Sequence, residues 1–378
     1  MDPYLYNLLI IILILAGIIL IMAGAIVLIR LLSARNQRAY RKKALEWEEI
    51  FLDYLHSGLG LEEACRRMAG EKRYYWLWRF FAPYLEVLKG TDFEKTKALC
   101  RELGLIDHYR GKLRRGRPAS RALAARVLGS LKCRDSVPEM LNQLGSKNPL
   151  IVQAAAQGLA RSGVTETFLP AARALLSHTF FTYEGVTEIL SGYGKEACPL
   201  LQEWIETEAK KLPDPHQSPG GRVPKRKPRR GETDPSVLVS IMTDLLGYFR
   251  CPGSLPLLGR LLERADDEIT VHVLKALLRF GEVPPDFDLK PYLQHRYWVV
   301  RNFSAKIWKL TGDPQALPLL EDLLSDRNWW VRFQAAEALR SAGRPGLALL
   351  EKQAAGTDQA AAAISTYALS RSEVKEPS

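Results

Sequence analysis

The sequence predicts an all-α protein built from an N-terminal transmembrane helix, a short helical segment and a solenoid of helix pairs. Three observations carry this prediction. The chain begins with a long uncharged run, a motif recurs every 31 residues over most of the rest, and proline and glycine bracket the helices of each repeat. The chain has 378 residues and a net charge of +11, so an anionic partner or surface also has to be considered.

The transmembrane prediction rests on residues 8–29, which are 22 residues without a charge. A helix of this length spans about 33 Å, which is enough for the hydrocarbon core of a bilayer. Six cations follow within residues 30–43 and Asp2 is the only charged side chain before, whereas a cleaved signal peptide carries its positive charge first. Because basic flanks stay in the cytoplasm, we expect residues 1–33 to be an uncleaved single-pass anchor in the cytoplasmic membrane, with the N-terminus outside and the solenoid in the cytoplasm.

Residues 34–117 are predicted to form a juxtamembrane helical segment that opens at "ALEWEEIFLDYL". Its most unusual stretch is "RYYWLWRFF", residues 73–81, in which six of the last eight residues are aromatic. A helix that is aromatic on every face is typical of burial against other elements. The alternatives are partner docking and a contact at headgroup depth, where Trp and Tyr are enriched.

The solenoid prediction, residues 118–371, rests on the 31-residue period. Stepping back from Val331 reaches Val300, Ile269 and Leu238, and after one insertion of 25 residues the register continues at Thr182, Ile151 and Ser120. Twelve residues after these positions, where the second helix of each unit should end, stand Gly343, Gly312, Gly281, Arg250, Gly194, Gly163 and Lys132. Glycine there fits a helix C-cap. Units of this size cannot bury their own apolar faces, so they must stack.

The stretch "VRFQAAEALRSAG", residues 331–343, resembles the HEAT repeat in its short bacterial form, also seen in phycobilin-lyase-like proteins. Repeats three and four depart from the pattern, with Thr182, Thr187, Leu238 and Thr243 at positions where Val and Ala are expected. The whole layout resembles a family of membrane-anchored bacterial HEAT proteins, often encoded beside a membrane glycosyltransferase. The resemblance implies a scaffold that recognises a membrane-associated protein partner, such as an envelope glycosyltransferase, through its concave surface.

The candidate binding residues lie in the early turns of the second helices, which line the concave face in HEAT-like arrays. They are Trp298, Asn302, Phe303, Trp329, Trp330 and Phe333. Two adjacent tryptophans cannot both point into one helix interface, so at least one should be exposed. The structural alternative is that both cap the last contact between repeats. Arg301 and Arg332 are predicted to bond neighbouring loops and helix ends.

The insertion, residues 213–235, contains nine Pro and Gly among 23 residues and is predicted to be disordered. Its cations are Arg222, Lys225, Arg226, Lys227, Arg229 and Arg230. Such a run is a solvated loop or a contact for anionic lipid or a partner, with nucleic acid the less favoured ligand. Residues 372–378 are predicted to be a C-terminal tail.

No catalytic, metal or cofactor motif is found in the sequence. The six histidines fall in unrelated repeats and loops, and there is no P-loop, HExxH or GxSxG. The five cysteines form no CxxC, so they are predicted to be reduced thiols. A non-enzymatic scaffold is therefore favoured. The alternatives are a lyase-type HEAT-like enzyme or ligand binder, and a nucleic-acid or lipid binder acting through the insertion.

Overall fold

The computed structural model describes residues 3–69, 74–178, 180–212, 234–264 and 266–371. Within these ranges the chain consists of α-helices joined by short turns, and no strand is present, which confirms the predicted all-α fold class. The chain divides into two compact units, the first ending at Cys133 and the second starting at Arg134.

The first unit contains six helices. They are α1 (Pro3–His56), α2 (Leu61–Met68), α3 (Tyr74–Val87), α4 (Gly90–Glu102), α5 (Leu105–Arg115) and α6 (Pro118–Ser130). From the sequence, α6 was expected to begin the solenoid at residue 118. In the structure α6 packs against α5 and α3 and is grouped with the first compact unit.

Helix α1 is a single helix of 54 residues, about 80 Å long. It is long and apolar enough to cross a membrane by length and composition, with a mean hydropathy of 2.4 over its most apolar window. Apolar side chains such as Ile19, Leu20 and Ile29 are 64–72% exposed on it. The predicted anchor and the start of the juxtamembrane segment therefore belong to one continuous helix.

Aromatic side chains form the core of the first unit. Trp47 and Phe51 of α1 are fully buried, and Phe51 lies edge-on to Phe80, Phe81 and Tyr84 of α3 with ring centroids 4.9–5.8 Å apart. The core-packing interpretation of "RYYWLWRFF" thus describes most of its residues. Its first residue, at position 73, lies outside the described ranges, and its aromatic residue at position 75 is 58% exposed.

The second unit is a row of helix pairs. Its first helices are α7 (Val137–Gln143), α9 (Phe168–Leu176), α11 (Cys198–Ala209), α13 (Leu255–Arg264), α15 (Lys290–Leu293), α17 (Leu317–Asp322) and α19 (Arg344–Ala354). Its second helices are α8 (Pro149–Ser162), α10 (Tyr183–Ser191), α12 (Pro235–Phe249), α14 (Asp267–Phe280), α16 (Trp298–Thr311), α18 (Trp329–Ser341) and α20 (Gln359–Ser370). Consecutive second helices pack on each other from α10 to α20, which confirms the predicted solenoid of helix pairs.

Most second helices begin at side-chain caps, with the exception of α16, whose N-cap Tyr297 makes no such hydrogen bond. Asn148, Asp234, Asp266, Asn328 and Asp358 each accept a hydrogen bond from a backbone N–H of the first turn. Such a cap satisfies a donor that has no partner inside the helix. Every one of these caps stands three to four residues before the 31-residue register position, so the loop chemistry of the repeat sets where its second helix starts.

Repeat three is shorter than the register predicts. Thr182, expected inside the second helix, is the N-cap of α10 and accepts a hydrogen bond from the N–H of Gly185. Helix α10 has 9 residues, against 14 in α8, α14 and α16. The missing turn is the structural consequence of the departure from the repeat pattern that the sequence shows at this point.

All seven positions at the end of the register have a positive φ, which residues other than glycine rarely adopt. Their φ angles are 48° at Lys132, 50° at Arg250 and 60–79° at Gly163, Gly194, Gly281, Gly312 and Gly343. Gly163, Gly281 and Gly312 are helix C-caps, whereas Gly194 and Gly343 follow a helix that has already ended. Glycine meets this requirement without steric cost, and the two cationic positions adopt the same geometry with a side chain.

Two of the five cysteines are joined. Cys198, at the start of α11, and Cys251, just after α12, form a disulfide with Cα atoms 5.5 Å apart. The prediction of five reduced thiols is therefore wrong for this pair, while Cys65, Cys100 and Cys133 are not disulfide-bonded. The two residues are 53 positions apart in the sequence and meet only because α11 and α12 pack as one helix pair.

The predicted insertion ends earlier than expected. Asp234 caps α12 and Pro235 is the first residue of that helix, where its missing N–H has no cost. The remainder of the insertion, including all six of its cations, lies outside the described residues, and so does the predicted tail at 372–378.

Candidate protein-binding surface

The loop before α18 is held by charged hydrogen bonds. The Arg301 guanidinium of α16 donates from Nε to Asp326 Oδ2 at 2.6 Å and from a terminal nitrogen to Oδ1 at 3.0 Å. Arg332 of α18 donates to the backbone carbonyl of Asp326 at 2.8 Å. This forked pair is mostly buried, so it fixes the loop geometry in a way that an exposed ion pair does not.

The same loop sets the direction of the two tryptophans. Asn328 caps α18 by accepting from the backbone N–H of Trp330 at 2.9 Å, which places Trp329 and Trp330 at the first two helical positions. The side chains of Trp329 and Trp330 are 47% and 55% exposed. Neither is therefore a buried contact between repeats, although the sequence left that alternative open for both.

Trp329, Trp330 and Phe333 of α18, together with Tyr367 of α20, form a connected set of rings that we call the aromatic cluster. Trp329 stacks on Phe333, one helical turn away, with centroids 5.3 Å apart and an interplanar angle of 15°. Trp330 lies edge-on to Trp329 at 4.8 Å, and Tyr367 lies 6.3 Å from Phe333. The cluster therefore spans two neighbouring second helices.

The other candidate residues on α16 lie in different surroundings. Trp298 is 37% exposed, while Asn302 is only 8% exposed and so lies beneath the surface. Phe303 is half-buried between two cations, with Lys275 Nζ 5.5 Å and Lys306 Nζ 5.4 Å from its ring centroid. Phe303 thus contributes a cation–π site rather than another open aromatic face.

An arginine paired with a carboxylate lies beside the aromatic cluster. The Arg371 guanidinium lies 5.9 Å from the Tyr367 ring centroid and 3.8 Å from the Glu337 carboxylate. Burial by itself would raise the pKa of Glu337, but the Arg340 hydrogen bond and the neighbouring cations outweigh burial and lower that pKa. The surface therefore combines exposed rings with one arginine and its carboxylate partner.

Tyr367 is the member of the cluster that sequence reasoning missed. One further step of 31 from Val331 reaches residue 362, so the register extends into α20 and would have marked Tyr367 as the single large aromatic side chain on an alanine-rich helix. Its proximity to Phe333 could not be inferred, because that depends on how α18 and α20 pack.

A second set of polar side chains lies where repeats three and four depart from the pattern. Tyr183 of α10 donates to Asp244 Oδ2 of α12 at 3.0 Å, and His272 Nδ1 of α14 lies 3.0 Å from the same oxygen. The Tyr183 hydroxyl is also 3.2 Å from His272 Nδ1, and Arg279 donates to the Asp244 carbonyl at 3.0 Å. We call these side chains the Tyr–Asp–His network.

Electrostatics favour the ionised carboxylate in this network. Burial by itself would raise the pKa of Asp244, but hydrogen bonds and charges from His272, Tyr183 and Arg279 outweigh burial and lower it. Burial and Asp244 together raise the pKa of Tyr183, so its hydroxyl stays protonated. Asp244 and His272 are 7% and 9% exposed, which makes the network a buried hydrogen-bonded brace across three helices.

Asp244→Asn should lower the free energy of unfolding by about 1.5 kcal/mol at neutral pH, because a charged acceptor of two hydrogen bonds is replaced by a neutral one. The folded-state pKa of Asp244 lies below its unfolded value, so its contribution is present above the unfolded pKa of about 4 and is lost as pH falls below it. Urea titrations at pH 7 and pH 3 measure both effects. Tyr183→Phe, which removes one hydroxyl, is the matched control and should cost about 1 kcal/mol. An Asp244→Asn penalty of equal size at both pH values would contradict the charge assignment.

No group of three or more His, Cys, Asp or Glu side chains in the described ranges is arranged to hold a metal ion. The Tyr–Asp–His network contains an acid–base pair, whose two side chains Asp244 and His272 are both buried. The chemistry that this geometry supports is structural bracing.

A family model described as HEAT repeats matches residues 110–181 and 286–370. The chain contains HEAT repeats. The two matched ranges leave out residues 182–285, which is the stretch that holds the shortened α10, the insertion, the disulfide partner Cys251 and the Tyr–Asp–His network. The regular HEAT repeats therefore lie on both sides of the divergent central ones along the chain.

Solved structures of low sequence identity resemble the HEAT-repeat chain. Human deoxyhypusine hydroxylase in complex with glycerol shares 17% identity, covers 88% of this chain and 98% of its own, and gives a TM-score of 0.27. The complex of CpcE and CpcF of phycocyanin lyase from Nostoc sp. shares 18% identity over 84% and 90%, with a TM-score of 0.20. An engineered protein shares 16% identity over 88% and 100%, with a TM-score of 0.31. At these TM-scores the likenesses carry no argument about activity, and no curated protein sequence matches the chain significantly.

Proposed function

We propose that this HEAT-repeat protein is a membrane-anchored scaffold that binds a protein partner at the aromatic cluster. The observation that carries the proposal is the exposure of Trp329, Trp330 and Tyr367, each 47–55% exposed on helices whose other faces are packed. Exposed aromatic side chains that are held in place by their neighbours are typical of binding hot spots. HEAT repeats generally mediate protein–protein interaction, which agrees with this use of the surface.

The anchor in this proposal is the apolar part of α1, which would confine the scaffold to one membrane. Its partner would then be a protein of the same membrane, such as an envelope enzyme with a cytoplasmic domain. Confinement raises the effective concentration of two proteins that share a membrane, so even a modest contact at the aromatic cluster suffices for binding.

The proposed orientation places the second unit in the cytoplasm. The six cations at residues 30–43 support it, because basic residues next to a transmembrane helix are retained inside. The Cys198–Cys251 disulfide argues against this orientation, because disulfides are rare in the cytosol. The charge asymmetry favours the cytoplasmic orientation more strongly, because it acts when the helix inserts, before the second unit folds and brings the two cysteines together.

A photo-crosslinking amino acid at position 330 of the full chain should form an adduct with one membrane-associated protein in intact cells. The matched control carries the same amino acid at position 351, an exposed residue of the first helix α19. Adducts are separated by mass and identified by mass spectrometry. Identical adducts from both positions, or adducts from position 351 alone, would rule out the aromatic cluster as the binding surface.

A further inference from the structure

The first unit contains a cleft of about 520 Å³ that the proposed scaffold function does not use. Four helices of the unit meet there, namely α1, α3, α5 and α6. Its lining residues are Asn36, Tyr74, Tyr75, Trp76, His108, Tyr109, Lys112, Ser120 and Leu123. The cleft is therefore lined by aromatic rings and polar side chains, with a single lysine.

The ring contacts between α1 and α3 show which end of the unit holds the cleft. Tyr40 pairs with Trp76 at 5.8 Å and Phe51 pairs with Phe81 at 5.6 Å, so α3 runs parallel to α1. The N-terminal end of α3, where Tyr74 and Tyr75 stand, therefore points toward the apolar part of α1. The cleft lies at the end of the unit that faces the membrane.

The height of the cleft above the membrane follows from the rise of α1. Asn36 lies seven residues beyond Ile29, the end of the apolar run, which is about 10 Å along the helix. The headgroup layer extends roughly 6 Å beyond the hydrocarbon core. The cleft thus opens where the phosphate groups of lipids meet water, within reach of a lysine side chain.

The side chains in the cleft suit a phosphate group. Lys112 on α5 is exposed and brings the positive charge. His108, one turn before it, stacks on Tyr74 with centroids 4.0 Å apart, and burial followed by the Lys112 charge lowers the pKa of His108. Tyr75 is 58% exposed beside them, as aromatic side chains at headgroup depth commonly are.

The charge distribution of the whole chain points to the same surface. Residues 1–133 contain 23 Lys and Arg against 13 Asp and Glu, a net +10 of the chain's +11. The remaining residues contain 30 against 29, so they are close to neutral even with the basic insertion included. The excess of positive charge therefore lies in the unit that the anchor holds against the bilayer, where an anionic leaflet attracts it.

We propose that the cleft between α1, α3, α5 and α6 binds the phosphate headgroup of an anionic phospholipid, with Lys112 on the phosphate and Tyr74 and Tyr75 at its sides. The inference rests on the proposed membrane anchoring. It deepens that function, because a bound lipid ties the first unit to the membrane surface and orients the helices that follow.

The test counts lipids retained by the full chain, reconstituted in nanodiscs of phosphatidylcholine with 20% phosphatidylglycerol and released into native mass spectrometry. Lys112→Gln should weaken retention of phosphatidylglycerol about fivefold, the effect of removing one cation at an anionic surface. Tyr75→Ala should weaken it as well, without a change in charge. The matched control is Lys89→Gln, an exposed lysine beyond the opposite end of α3, about 20 Å from Tyr74. It should retain phosphatidylglycerol as the wild type does.

Equal losses in Lys112→Gln and Lys89→Gln would show a diffuse charge effect and overturn the site, as would full retention in Lys112→Gln. Displacement of the lipid by millimolar inorganic phosphate would assign the cleft to a soluble phosphate and overturn the lipid assignment. Flotation of the chain with vesicles tests membrane anchoring independently of lipid retention in the cleft. A chain that fails to float contradicts the proposed function, whereas a floating chain with unchanged lipid counts contradicts only this inference.

Discussion

The oxidised protein should unfold with a free energy about 4 kcal/mol higher than the Cys198→Ala/Cys251→Ala variant. The disulfide closes a loop that spans 53 residues, and cross-linking a loop of this size removes much of the conformational entropy of the unfolded chain. Urea titration of the full chain in detergent micelles measures the difference. A reducing agent should remove most of this extra free energy of unfolding from the wild type. It should leave the free energy of unfolding of the double variant unchanged.

Cys65→Ala is the control for this experiment, because Cys65 is a free and partly exposed thiol that forms no cross-link. It should unfold at the same urea concentration as the wild type, with and without reductant. Stability that is independent of reductant in the wild type would show that Cys198 and Cys251 are not joined. The thiol state of this pair in intact cells also tests the orientation of the chain, since a cytoplasmic second unit predicts reduced thiols and an external one predicts the disulfide.

The Trp329→Ala/Trp330→Ala variant should bind the partner identified by crosslinking at position 330 about a hundredfold more weakly than the wild type. Loss of a tryptophan hot spot costs 2 kcal/mol or more in binding, which is roughly thirtyfold for a single site. The centroids of the two rings lie 4.8 Å apart, so the two losses of binding free energy are coupled. Their sum therefore overstates the loss of binding free energy in the double variant. Calorimetry or surface binding with the purified partner measures the change.

The single variants should differ in stability. Trp329→Ala removes the stack on Phe333 and should cost about 1 kcal/mol, whereas Trp330→Ala should cost under 1 kcal/mol because its ring is more exposed. Phe180→Ala is the control, because Phe180 is a 64% exposed aromatic side chain outside the cluster, and it should leave binding unchanged. Wild-type affinity in a folded double variant would remove the aromatic cluster from the binding surface.

The sequence predicted the features that depend on local spacing. The uncharged run at residues 8–29, the helix pairs and the 31-residue register follow from which positions are apolar, and the register marks seven positions of positive φ, including Lys132 and Arg250. It also marked Trp329 and Trp330 as candidates for exposure, because adjacent side chains on a helix diverge by about 100°.

The sequence did not predict the pairing of Cys198 with Cys251 or the Tyr–Asp–His network. Tyr183 and Asp244 are 61 residues apart, and the cysteines are 53 apart, so no short motif contains either set. The departure of repeats three and four from the pattern was visible, but its reason was not. Thr182 caps a shortened α10, and the helices around it are braced by buried polar contacts in addition to apolar ones.

The sequence by itself thus determined that this protein has an apolar N-terminal helix followed by stacked helix pairs, because the spacing of apolar residues shows which face of each helix has to be buried. Only the tertiary structure decided that Tyr367 joins the aromatic cluster, that two cysteines meet, and that the basic first unit holds a cleft beside the N-terminal end of α3. These outcomes depend on how helices far apart in the chain pack against one another. Packing is set by the shapes of many side chains at once, and the spacing within one helix does not record it.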